Sequence, residues 1–137
     1  MTALIVDGKD AVLGRLASQV AKELLNGNAV NILNAQDVII TGDPDSIKEK
    51  YLARRRRGSP QHGPFFPKQP QLIVRRTIRG MLPYKTNKGR EAFKKLRVYI
   101  SIPPEFSEGQ YISLGAKQIK TKYIRVGELA KTIGWHA

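Results

Sequence analysis

Residues 3–33 read ALIVDGKDAVLGRLASQVAKELLNGNAVNIL. Leu4–Val6 are three consecutive aliphatic residues, which read as a short buried strand, and Asp7-Gly8 turn the chain. Leu13, Leu16, Ala17, Val20, Ala21, Leu24 and Leu25 then recur at i, i+3, i+4 and i+7, the spacing of one apolar helix stripe. Asn26-Gly27 closes that helix with a residue that tolerates a left-handed cap. Ala29–Leu33 reads as a second strand and Val38–Ile40 as a third. Strand, helix, strand opens an α/β layer architecture with parallel pairing.

Outward from this stretch, the length of 137 residues suits one domain, 1–137, and 41% hydrophobic content allows a real core. The charge is less ordinary, with 24 basic against 11 acidic residues and a net charge of +13. The segment 48–97 contains 16 basic residues and only Glu49 and Glu91 on the acidic side, while the rest of the chain is close to neutral. Such segregation is not needed for solubility. It points to one face or extension made for a polyanion, and nucleic acid is the commonest one. Cysteine is absent, so no disulfide framework, thiolate metal site or thiol nucleophile is available. Leu4–Val6 is too short for a signal peptide or a membrane span, and an intracellular soluble protein with no membrane partner is expected.

Within the basic segment, Asp43-Pro44 starts a helix that runs into Tyr51 and Leu52 and ends at Arg54, Arg55, Arg56 and Arg57. Cations there complement the helix dipole. Four consecutive arginines on a helix point in all directions, so they cannot all serve one packed face. Phosphate contact is preferred over a merely solvated helix end or a nuclear-targeting signal, because the run continues through Lys68 into Arg75, Arg76 and Arg79. Residues 58–70 (GSPQHGPFFPKQP) carry four prolines and read as an extended loop. His62 in this loop is a candidate for stacking on RNA. Phe65-Phe66 reads as the loop's apolar anchor, with base stacking as the alternative. Gln71–Leu82 returns to helix, with Leu72, Ile73, Thr77 and Met81 as its apolar side and Val74 and Ile78 alongside. Asn87–Leu96 is a further helix carrying Lys88, Arg90, Lys94 and Lys95, with Lys85 just before it. Residues 96–102 alternate as a strand until Pro103-Pro104. Near the C-terminus, Glu128–Ile133 reads as a short helix ending at Gly134-Trp135.

Catalytic chemistry is hard to place. His62 and His136 lack the neighbours of an acid–base pair or a metal site. No GxxxxGK[ST] or strand-borne GxGxxG stretch occurs, and Gly8-Lys9 and Thr41-Gly42 read as turns rather than phosphate loops. Asp37, Asp43 and Asp45 are explained as cap and turn residues more simply than as a Mg²⁺ site. No cofactor, metal, small-molecule substrate or enzymatic activity is expected. Two rival classes, an RNA-modifying enzyme and a DNA-compacting protein, would need respectively a catalytic constellation and a preference for duplex DNA.

Several motifs occur in order: Leu13-Gly14-Arg15-Leu16-Ala17-Ser18, Asn34-Ala35, Thr41-Gly42, then Ile78-Arg79-Gly80-Met81-Leu82-Pro83, Gly89-Arg90 and Leu96-Arg97-Val98-Tyr99. Together with Gly63-Pro64 and the Ile124–Trp135 ending, they make most of the chain resemble the universal large-subunit ribosomal protein family numbered thirteen, in its archaeal and eukaryotic form. The resemblance implies a three-layer α/β/α core with a mainly parallel four-stranded sheet. It also implies a non-enzymatic place in the large ribosomal subunit, in the cytoplasm, against its large rRNA and neighbouring ribosomal proteins. The chain lacks the long C-terminal region of eukaryotic relatives, which fits an archaeal source. Within the signature, Pro83 is expected to stop a helix and Gly80 to permit close approach, with Arg79 and Lys85 facing RNA.

Overall fold

In the computed structural model, which describes residues 3–56, 68–106, 112 and 121–135, strand β1 (Ala3–Asp7) pairs in parallel with β2 (Ala29–Leu33), and helix α1 (Leu13–Leu25) is the crossover. The apolar stripe of α1 is buried as its spacing requires, from Leu13 through Leu24, and Gly27 closes it at φ +97°. β2 pairs on its other edge, also in parallel, with β4 (Leu96–Val98). Beside β1 lies Ile112, which donates its N–H to the Ile5 carbonyl and accepts from Asp7 N–H, both at 2.9 Å. Among the described residues the sheet thus has three parallel strands in the order β1-β2-β4, with Ile112 bridged in parallel to Val6 beyond β1.

The expected third strand goes elsewhere. β3 (Ile39–Thr41) pairs antiparallel with β5 (Tyr123–Arg125) in a separate two-stranded ribbon. The cause sits at Asn34, whose φ of +58° takes the chain out of the sheet into a 3-10 turn at Ala35–Asp37. Asn is one of the few side chains that accepts this conformation, and its Nδ2 donates to Asp7 Oδ1 at 2.9 Å, tying the ends of β1 and β2. The strand expected over 96–102 likewise stops pairing at Val98. The Tyr99 N–H still donates to Ile32, but the Tyr99 and Ile100 carbonyls accept from Ala35 and Gln36 in the 3-10 turn.

The remaining helices are α2 (Pro44–Arg56), α3 (Pro70–Gly80), α4 (Asn87–Lys94) and α5 (Val126–Thr132). α3 packs on α1, α5 and β4, and its Ile73, Val74 and Ile78 join Val6, Leu16, Val20 and Ile32 in the core. Burying each such side chain stabilises the fold by about 1.5–3 kcal/mol. The apolar face of α3 is rotated from the one expected: Leu72 is 37% and Met81 44% exposed. Leu72 lies one residue, about 100°, away from Ile73 on the wheel. Met81 follows the last helical residue as its C-cap, so helical phase no longer governs it.

Gly80 does not provide the close approach expected of it, because a Cβ there would meet nothing within 4 Å. The tight position is Gly89, where a Cβ would collide with the Pro83 carbonyl. The Leu82–Thr86 turn folds back onto the first turn of α4 at that point. Thr86 caps α4: its hydroxyl donates to the Pro83 carbonyl at 2.7 Å and accepts from Gly89 N–H at 3.1 Å.

Candidate nucleic-acid interface

α3 is the element that organises the basic surface. Its inner face is held by the core, so its remaining side chains divide between two flanks. On one flank Ile73, Arg76, Thr77 and Gly80 follow helical i, i+3, i+4, i+7 spacing and line a cleft of about 450 Å³. The opposite wall comes from α2, through Lys50, Tyr51 and Arg54, and the rest from Val12–Gly14 and Ile40-Thr41. On the other flank Gln71, Leu72 and Arg75 line a groove of about 420 Å³ shared with Lys94 and with Leu96–Tyr99. Arg75 and Arg76 are adjacent in sequence, and the 100° step between them sends one to each side. Among the described residues each depression carries three cations (Lys50, Arg54 and Arg76 in one; Arg75, Lys94 and Arg97 in the other), and neither lining contains an acidic residue.

Aromatic rings hold several guanidinium groups of the basic surface. Arg54 lies 5.2 Å from the Tyr51 ring centroid, Arg75 4.4 Å from that of Phe93, and Arg79 5.0 Å from that of Tyr84. Such contacts reduce the freedom each arginine would lose on meeting a phosphate. Burial pushes the Tyr51 phenol above its ordinary pKa, and the Arg54 charge and hydrogen bond oppose that rise. Tyr51 is therefore an uncharged wall of its cleft at physiological pH.

The other expected contact residues fall into three groups. Lys68, Lys85, Lys88 and Arg90 are exposed, and Arg90 is steadied by Asn87 Oδ1 at 2.8 Å. Lys94 is exposed and pairs loosely with Glu91 at 3.4 Å, a contact that a phosphate displaces at little cost. Lys95 departs from the pattern: it is half-buried and its Nζ points to the Gly27 carbonyl at 3.4 Å, back toward the α1–β2 turn. Arg55 and Arg56 are on the last turn of α2, but their side chains, together with Arg57, His62 and Phe65-Phe66, lie outside the described residues. Sequence reasoning passed over Lys50 and Arg97, although Lys50 stands four residues before Arg54 on the same helix and Arg97 alternates with buried Leu96 on β4.

Arg125 has an architectural use. It donates to the Asp37 carbonyl at 2.9 Å and pairs with Asp10 at 3.0 Å. The amides at Gly8 and Lys9 are likewise committed internally, to the Leu33 carbonyl and to Asp7 Oδ1, as a turn requires. Among the described residues no three His, Asp or Glu side chains gather as a metal site, and no helix is long and apolar enough to cross a membrane.

Comparison with known proteins places this geometry in a family. The profile of the family described as Ribosomal protein L13 matches residues 1–105. Proteins named large ribosomal subunit protein uL13 are similar over nearly the whole chain. That of Methanopyrus kandleri is 45% identical, covering 96% of this chain and 86% of the relative. That of Methanocaldococcus jannaschii is 46% identical, covering 95% and 96%. That of Methanosarcina barkeri is 41% identical with the same coverage, 95% and 96%.

Proposed function

The chain belongs to the ribosomal protein L13 family, and we propose that it is a non-enzymatic, single-domain constituent of the large ribosomal subunit that holds the large-subunit rRNA by its phosphate backbone. Its place would be the cytoplasmic ribosome, beside neighbouring large-subunit proteins, and its contribution would be to subunit assembly and thereby to translation. Relatives carrying the large-subunit name over nearly the same length support the setting.

The observation that carries the contact chemistry is the division of cations by α3 into two acid-free depressions. Two basic clefts about one helix diameter apart, roughly 10 Å, suit two phosphate tracks of a folded RNA better than one small ligand. Arg54 to Arg57, His62, Lys68, Arg79, Lys85, Lys88 and Arg90 would extend this surface. Phosphate contacts position RNA without reading its sequence, so the expected outcome is ordering of rRNA helices.

The test is a salt titration of binding to large-subunit rRNA. Holding about six phosphates predicts a loss of affinity on the order of 10³ between low and moderate salt. Replacing Arg54, Arg55, Arg56 and Arg57 by alanine should weaken binding and flatten the salt slope while leaving the fold intact. An unchanged slope removes that run from the interface. A preference for duplex DNA over structured RNA in competition would overturn the reading altogether.

A further inference from the structure

One residue lining the groove between α3 and β4 carries something a phosphate track does not need. Gln71 Oε1 is fully buried and has no hydrogen-bond partner among the described residues. The Gln71 amide nitrogen is satisfied, donating to Gln69 Oε1 at 3.0 Å. An unpaired buried acceptor is costly, and one in a native structure calls for a partner. A phosphate oxygen cannot satisfy it, because phosphate brings only acceptors.

The surroundings indicate what can. The groove's lining residues include the apolar Leu72, Leu96 and Val98 and the aromatic Tyr99. Its cations, Arg75 among them, belong to the same lining, and Arg75 is already held against the Phe93 ring. Apolar and aromatic lining residues, a guanidinium group, further cations and one buried acceptor together match a nucleotide: a stacking base with an N–H edge, attached to a phosphate. The groove's volume of about 420 Å³ lies in the range of small-ligand sites, about 300–1,000 Å³.

We propose that this groove receives one unstacked rRNA nucleotide, whose base donates an amino or imino hydrogen to Gln71 Oε1 while Arg75 and Arg97 hold the flanking phosphates. The proposal rests on the RNA-binding reading above and adds base recognition to it. Gln71 lines the groove and is only partly buried as a whole.

The experiment compares the full chain with Gln71→Leu and Leu72→Glu on deproteinised archaeal large-subunit rRNA. Affinity is measured across a salt series, and bases are probed with dimethyl sulfate and kethoxal. The wild-type chain should protect one unpaired base that both variants re-expose, with other protections kept. Gln71→Leu should bind about tenfold more weakly, with the salt slope unchanged because no cation is lost. Leu72 is exposed, so Leu72→Glu tests the groove even if Gln71→Leu disturbs the fold. Unchanged affinity and protection in both variants overturns the proposal and leaves the groove to a protein neighbour, and a uniform weakening of all protections overturns it equally. Wild-type binding that is insensitive to salt would instead sink the broader reading.

Discussion

The Arg75 guanidinium carbon lies 4.4 Å from the centroid of the Phe93 ring, joining α3 to α4 across the edge of the α3–β4 groove. Phe93 itself packs partly buried against the core, so one ring both anchors α4 and aims a cation. Phe93→Leu keeps most of the apolar volume and removes the π face. It should cost about 1 kcal/mol in urea unfolding and leave the salt slope of RNA binding unchanged, since Arg75 keeps its charge. Arg75→Ala should lower the slope by about one. Equal slope changes in the two variants would show that the ring contact, rather than the charge, is what RNA senses.

Gly80 and Gly89 stand nine positions apart in the family signature region and have opposite requirements. A Cβ at Gly89 collides with the Pro83 carbonyl, a backbone atom held by the Thr86 hydroxyl and N–H. Gly89→Ala must therefore separate the turn from α4, and a loss of about 3 kcal/mol or more is expected. A Cβ at Gly80 enters open space at the end of α3, and Gly80→Ala should be neutral or stabilising by up to about 1 kcal/mol. Thermal melting of the two variants checks both. A mild Gly89→Ala would mean that the turn yields easily.

How much of the fold the sequence discloses depends on how local each determinant is. The β1–α1–β2 unit was legible because Leu13 to Leu24 repeat at helical spacing beside two aliphatic runs, and each element states its own period. The partner of β3 was not, because three residues fit either sheet and Asn34 decides which one they reach. The phase of α3 was misjudged at Leu72 and Met81, since the helix begins at Pro70 and ends before Met81. The charge of the candidate site was plain from the run of Arg and Lys, but its geometry was not. Lys95 carries the same charge as Lys94 yet turns back to the Gly27 carbonyl, and only packing separates the two.

Tyr51 offers a pH test. Its phenol pKa is raised by burial, against the opposing effect of Arg54. The folded state thus holds the phenolic proton more tightly than the unfolded chain. The stability linked to it is fully present below the unfolded value of about 10 and is lost as pH rises through the higher folded value. Wild-type stability should fall as pH rises from about 10 through that higher value, and Tyr51→Phe, which cannot ionise, should fall less steeply over the same window. Parallel curves for the two proteins would place the alkaline loss elsewhere.

Two separate clefts make a prediction about additivity. Lys50 stands in the cleft on one side of α3 and Arg97 in the groove on the other, with the helix between them at a diameter of roughly 10 Å. Each of Lys50→Gln and Arg97→Gln should reduce the salt slope of rRNA binding by about one, and the double variant by their sum, because sites this far apart with no shared partner act independently. Lys50 and Arg76 line the same cleft. If both hold one phosphate, the Lys50→Gln and Arg76→Gln double variant should lose less than the sum, since the first substitution already frees that phosphate. Additivity in the cross-helix pair with non-additivity in the same-cleft pair is the pattern of two backbone tracks. The reverse pattern would mean that RNA crosses α3 as a single strand contacting both sides at once.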